Sequence, residues 1–213
     1  LTDLGDKTMM QVINRDNPQA NHALYMQAVD TLITLQLASK PGVLPPYDEA
    51  LLRRELALFP DWYLAKHRGV AVEGEVRSTL DAAFNHIVTQ NLAWPSVYVH
   101  RDYMPRNLMI PLVNDGPSLT TARGQAPTGR RAGPSRARPA PSGGSAPREA
   151  GSVGPSHLGV LDFQDAVYGP ITYDIASLMR DACLTWEEDF VLDITIRYWE
   201  KARNACLPVG DDL

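Results

Sequence analysis

The chain has 213 residues, 44% of them hydrophobic, which suits a soluble globular protein with one sizeable core or two small ones. Its net charge of −5 is uneven: residues 114–156 hold six Arg against Asp115 and Glu149, which leaves 14 basic and 23 acidic residues elsewhere. That acidic balance argues against a nucleic-acid surface. Cys183 and Cys206 form no CxxC or Cys/His spacing, and no signal peptide or long apolar span is present. A reduced, cytoplasmic, monomeric protein with neither nucleic-acid nor membrane partners is expected.

Three helices are predicted first. From Pro18 to about Ser39, Leu24, Met26, Val29, Leu32, Ile33 and Leu37 recur near a 3.6-residue period. Asp48 is the candidate N-cap of a second helix through Leu51, Leu52, Leu56 and Phe59, which Pro60 is expected to interrupt before DWYLAKH. A third, from about Glu73 to Asn91, stacks Val76, Leu80, Ala83, Ile87 and Val88. Pro95 then punctuates, and VYV reads as a short strand leading into HRDYMPRN.

Between Asn114 and Ser156, 28 of 43 residues are Gly, Ala, Pro or Ser, a composition that cannot bury enough apolar surface to offset chain entropy. Order is expected to return with LGVLDF, a strand, and then with two amphipathic helices over YDIASLMRDA and EEDFVLDITIRYWEKA. The organisation predicted is therefore an α+β, mostly helical unit in two parts, 1–112 and 158–213, separated by a disordered insertion at 113–157.

The chemistry sits at the junction of those parts. Phosphoryl transfer needs one Asp to orient the attacking hydroxyl, an amide oxygen that can hold a metal, and a second Asp to bind that metal against nucleotide phosphates. Asp102, Asn107 and Asp162 supply these types. Asp102 and Asp162 stand 60 positions apart, but only 17 once the 43-residue stretch is set aside, a β-hairpin distance. Singly, Asp102 reads as a turn or cap residue, Asn107 as a turn former, Asp162 as a strand-end cap and His100 as a histidine bracing its loop. Arg101 and Arg106 read as surface charges, with Arg106 also a candidate phosphate contact. Together, H-x-D-x-x-x-x-N after a strand and L-D-F before a helix point to phosphoryl transfer.

HRDYMPRN followed by GVLDFQDAVYGPITYDIASL resembles the aminoglycoside phosphotransferase/choline kinase family of protein-kinase-like small-molecule kinases. Within it, LGDKT, ALFPDWYLAKHRG and FVLDITIRYWEKA are similar to the bacterial anomeric kinases of N-acetylated amino sugars used in cell-wall recycling. The resemblance implies ATP and Mg²⁺, a sugar acceptor, Asp102 as catalytic base, and Asn107 and Asp162 as metal ligands. It also implies that His100 braces the loop and that Asp174 anchors it while capping the next helix. Asp3 and Asp6 would lie near the cleft mouth, as substrate-binding candidates that could hydrogen-bond sugar hydroxyls or as helix-start or turn residues, and Trp62 and Tyr63 are candidates for a sugar pocket or for core and rim packing.

The resemblance has gaps. No Gly-rich loop precedes the helices, and none of Lys7, Lys40, Lys66 and Lys201 follows a strand of the kind that family uses to pair nucleotide phosphates. The expectation is a C-terminal lobe that begins near the interlobe hinge, lacks the nucleotide lobe, and alone binds ATP weakly and turns over little. Met104 replaces the Lys of protein kinases, and DFQ replaces DFG. An aminoglycoside, choline, homoserine or another sugar remains an alternative acceptor. A truncated pseudokinase whose Arg-rich insertion recruits a partner is the alternative of another class.

Overall fold

Two-residue strand β1 (Lys7–Thr8) passes directly into a single turn, α1 (Met9–Val12), in a computed structural model that describes residues 4–111 and 157–210. The expected 113–157 insertion lies outside the described residues except for His157. After a 3₁₀ turn at Pro18–Asn21 comes the central helix α2 (His22–Leu37). Its buried stripe, Tyr25, Ala28, Val29, Leu32, Ile33 and Gln36, has the i, i+3, i+4 spacing of a core-facing face.

Helix α3 (Glu49–Leu58) begins where expected: the Asp48 carboxylate accepts from the Leu51 amide at 2.9 Å, satisfying an N-terminal donor. Its end is a correction. Pro60 does not interrupt the helix; the chain winds on through Phe59–His67 in wider π-helical turns. Pro60 stands at the second position of that segment, where the turns widen. Helix α4 (Gly74–Leu92) follows.

Two small sheets frame the loops. Strand β2 (Ser96–Val99) pairs antiparallel with β5 (Val167–Pro170). Strand β3 (Leu108–Ile110) pairs with β1 on one side and β4 (Gly159–Val160) on the other, Leu108 opposite Val160 and Met109 opposite Gly159. The expected hairpin between the two motifs is therefore present; the pairings of β1 and β5 were not expected. Gly169 is required by packing: a Cβ there would meet the Tyr47 Cβ at 2.6 Å, where Tyr47 N–H donates to the Tyr168 carbonyl at 2.8 Å.

Helix α5 (Tyr173–Met179) and α6 (Glu188–Asn204) complete the fold. Phe190, Ile194, Tyr198 and Ala202, each four residues on, form the buried face of α6 against α2. That contact carries a polar knot: Tyr198 Oη donates to Gln36 Oε1 at 2.8 Å, and Gln36 Nε2 donates to the Ile171 carbonyl at 3.1 Å. The result is a mixed helix-and-sheet unit whose core lies between α2, α5, α6 and the two sheets.

Candidate active site

The segment HRDYMPRN folds back on itself. The Asp102 carbonyl accepts from the Met104 amide and from Asn107 Nδ2, both at 2.9 Å, and the Met104 carbonyl accepts from the Asn107 amide at 2.9 Å. Pro105 opens the 3₁₀ turn Pro105–Asn107, whose first N–H would have no partner anyway. The five-residue spacing of Asp102 and Asn107 is what lets this turn close. Between them Tyr103 is fully buried, and its hydroxyl donates to the Ala28 carbonyl of α2 at 2.8 Å.

The second acidic loop is tied to the first through Leu161. Its amide donates to the Asn107 carbonyl at 2.9 Å, continuing the β3–β4 ladder by one position. Its carbonyl lies 2.7 Å from His100 Nε2, which must be the donor because a carbonyl can only accept. Asp162 is next, in the left-handed conformation at φ 61° and ψ 37°, which Asp tolerates better than most residues. Asp102 and Asp162 are exposed, and among the described residues neither carboxylate has a hydrogen-bond or ion-pair partner. His100, by contrast, is fully buried, with Nδ1 unpartnered among the described residues and Phe163 and Tyr103 rings 5.9 and 6.0 Å away.

Asp174 closes the frame from below. One carboxylate oxygen accepts from the His100 amide at 2.7 Å and the other from the Arg101 amide at 3.0 Å. Both oxygens are thus spent on the loop. The N-cap of α5 is Thr172, with no side-chain cap bond, so the expected capping by Asp174 is not what its carboxylate does. Burial pushes the Asp174 carboxyl from its ordinary 3.8 up to about 7, against the pull of those two N–H groups and with a small push from the Asp102 charge.

Other expected residues lie elsewhere. Arg106 does not stand free beside Asn107: its Nη2 is 3.0 Å from Cys183 Sγ and 3.5 Å from the buried Asp181 carboxylate. Asp6 is exposed ahead of Lys7, which pairs with Ile110, the end of β3 away from Asn107. Asp3 lies outside the described residues. Trp62 and Tyr63 are exposed at 58% and 48%, so neither packs in the core. Tyr63 lies between the rings of Phe59 and His67, and the Lys66 ammonium sits 3.6 Å over the Trp62 ring.

The donor set fits a hard cation. Asn107 uses its Nδ2 on the Asp102 carbonyl, which leaves Oδ1 as its free ligand atom. With the Asp162 carboxylate this gives oxygen ligands alone, as Mg²⁺ prefers. Among the described residues no cluster of three or more His, Cys, Asp or Glu is gathered for a metal. A Mg²⁺ held by one or two side chains and completed by phosphates and water does not need one. Residues that the sequence did not flag also reach the loop: Glu55 binds Arg101, and Asp181 with Cys183 holds Arg106. A charged residue on a helix or loop of a single sequence carries no mark of such a partner.

A family model described as a phosphotransferase enzyme family matches residues 1–121 and 152–206. An N-acetylmuramate/N-acetylglucosamine kinase of Neisseria meningitidis serogroup B is 40% identical over 212 residues, covering 99% of this chain and 51% of the relative. Proteins of the same name from Pseudomonas aeruginosa and Pseudomonas putida are 40% and 36% identical over 209 residues, 98% of this chain and 48% of each. The chain thus spans about half the length of the curated relatives it matches.

Proposed function

The chain belongs to the phosphotransferase enzyme family, and from that premise we propose that it carries the catalytic loops of an ATP-dependent kinase acting on the anomeric hydroxyl of an N-acetylated amino sugar. The acceptor class follows the relatives' names, N-acetylmuramate and N-acetylglucosamine. A cytoplasmic role in cell-wall recycling goes with that acceptor. The organisation proposed is two pieces of one C-terminal lobe, 1–112 and 158–213, around the 113–157 insertion.

The observation that carries the reading is the double hold on Leu161. Asn107 takes its amide and His100 its carbonyl, which brings Asp162 beside the loop of Asp102 and Asn107 across some sixty positions of sequence. Asp102 orients and accepts the proton of the sugar hydroxyl. Its carboxylate is free for that task, while its carbonyl is fixed by Asn107. Asn107 Oδ1 and Asp162 would hold Mg²⁺, which supplies charge neutralisation at the phosphate oxygens when bound. The protein's own contribution is position: Asp174 and His100 hold the two acidic loops in one register before substrates arrive.

The test is a phosphorylation screen with ATP and Mg²⁺ over N-acetylmuramate, N-acetylglucosamine, aminoglycosides, choline and homoserine, with the phosphate position read by NMR. A sugar 1-phosphate supports the reading. Transfer to an aminoglycoside or choline instead overturns it.

A further inference from the structure

We propose that Glu55 is a positioning residue for the catalytic loop: its carboxylate, held by the Tyr47 hydroxyl, binds the Arg101 guanidinium and so fixes the left-handed turn from which Asp102 follows. The inference rests on the reading of Asp102 given above. It begins with a strained residue. Arg101 has φ 76°, a conformation that strains a non-glycine residue and persists only where its surroundings over-determine it. Released, the backbone would relax toward negative φ and rotate the next residue, Asp102.

Three groups restrain Arg101. Its amide donates to Asp174 Oδ1 at 3.0 Å, and its carbonyl accepts from Ser177 Oγ at 3.4 Å. Both partners belong to α5. The third restraint comes from α3, 46 residues earlier in the chain, where Glu55 Oε1 accepts from Arg101 Nη2. This pair is unlike the surface pairs of the molecule. Its side chains are 27% and 25% exposed, against 58% and 60% for Arg180 and Glu188, so solvent screens it less. Arg101 Nε is buried and has no hydrogen-bond partner among the described residues, so Glu55 is what compensates the desolvation of this guanidinium.

Glu55 is itself held in place. Tyr47 Oη donates to Glu55 Oε2 at 2.5 Å, which leaves Oε1 for the arginine. Tyr47 cannot swing away: its amide is on the Tyr168 carbonyl, and its ring sits edge-on to Tyr173 with centroids 5.5 Å apart. Burial and the Glu55 carboxylate both push the Tyr47 phenol above its usual range, so it stays a neutral donor. The chain Tyr47–Glu55–Arg101 therefore reaches the peptide before Asp102 through the arginine side chain, whereas Asp174 holds it through the backbone amides. Asp174 fixes where the loop lies, and Glu55 fixes how it turns.

The experiment compares the unaltered chain with Glu55→Gln, Glu55→Asp and Tyr47→Phe, reading amide hydrogen exchange over residues 97–110, thermal midpoint, and separate kcat and KM. In Glu55→Gln, exchange at the loop rises about tenfold while α2 and α6 keep their protection, as local opening requires. The kcat falls about tenfold with KM for both substrates nearly unchanged, the pattern of a lost transition-state arrangement. Glu55→Asp, which keeps the charge, recovers part of both. Unchanged loop exchange overturns the proposal, and so does a rise spread evenly through α2 and α6. Faster loop exchange with unchanged kcat also overturns it, because the pair would then serve stability alone. If Glu55→Gln does not fold, Tyr47→Phe gives the same local readout at smaller size, and its failure to move the loop is decisive. If the unaltered chain phosphorylates no acceptor, as a lobe without its nucleotide lobe would, loop exchange alone decides the role of Glu55.

Discussion

Tyr103 donates its hydroxyl to the carbonyl of Ala28 in the middle of α2, 75 residues away, at 2.8 Å. The loop bearing Asp102 is thereby fastened to the central helix by a fully buried side chain. The phenol, which burial pushes well above its usual range, stays neutral and remains a donor. Tyr103→Phe keeps the ring and removes the bond. The Ala28 carbonyl retains its place in the helix ladder, so the cost should be about 1 kcal/mol of stability. Urea unfolding checks it; a loss above about 3 kcal/mol would mean that the ring has repacked.

Gly169 and Tyr47 set a steric limit on β5. Gly169→Ala places a methyl 2.6 Å from the Tyr47 Cβ, which is main-chain-fixed and cannot give way cheaply. Overpacking of this kind costs about 1–3 kcal/mol. The same shift loosens Tyr47 from Glu55, so the variant should lose kcat as well as thermal midpoint. A thermal scan beside a rate measurement checks both.

As proposed base and proposed metal ligand, Asp102 and Asp162 should separate kinetically. Asp102→Asn removes the proposed proton acceptor and should lower kcat by about 10²–10⁴ with little effect on nucleotide binding. Asp162→Asn takes away the only carboxylate of the proposed metal pair. It should raise the Mg²⁺ concentration needed for half-maximal rate and lower affinity for the Mg²⁺ complex of ATP. Titrating Mg²⁺ at fixed ATP distinguishes the two variants, and retained kcat in Asp102→Asn would sink the base assignment.

How much of this was legible in the sequence depended on the period of each signal. Helices α2, α4 and α6 were legible because their apolar residues repeat over four turns or more. The hairpin was legible because a spacer of biased composition separates two motifs that otherwise stand a hairpin apart. Strands of two residues, such as β1, have no period to read, and β5 carries Gly169 and Pro170, which weaken any strand signal. Pro60 misled because the sequence shows a helix breaker but not its position at the start of a wider helix. Glu55 was not legible at all: on α3 it looks like any solvated glutamate, and its partner is defined only by the fold.

Asp174 gives the pH dependence that the fold should show. Its carboxyl is fully buried, and it titrates near 7 in the folded chain against an ordinary 3.8. Folding therefore binds a proton between those values, and the folded state carries more protons than the unfolded one. Stability owed to this group is full below about pH 4 and falls as pH rises toward 7, after which it is flat. Asp174→Asn cannot titrate. Its amide also sets an N–H₂ against one of the two backbone N–H groups of His100 and Arg101, leaving a buried donor unmet at a cost of about 1–3 kcal/mol. The margin of the unaltered chain over Asp174→Asn should thus be largest in acid and shrink across that window, even though other carboxylates move both proteins together. Chemical denaturation of the pair at intervals from pH 4 to 8 reads the margin directly. A margin that grows with pH would show that the two N–H donors outweigh burial and that Asp174 is ionised throughout.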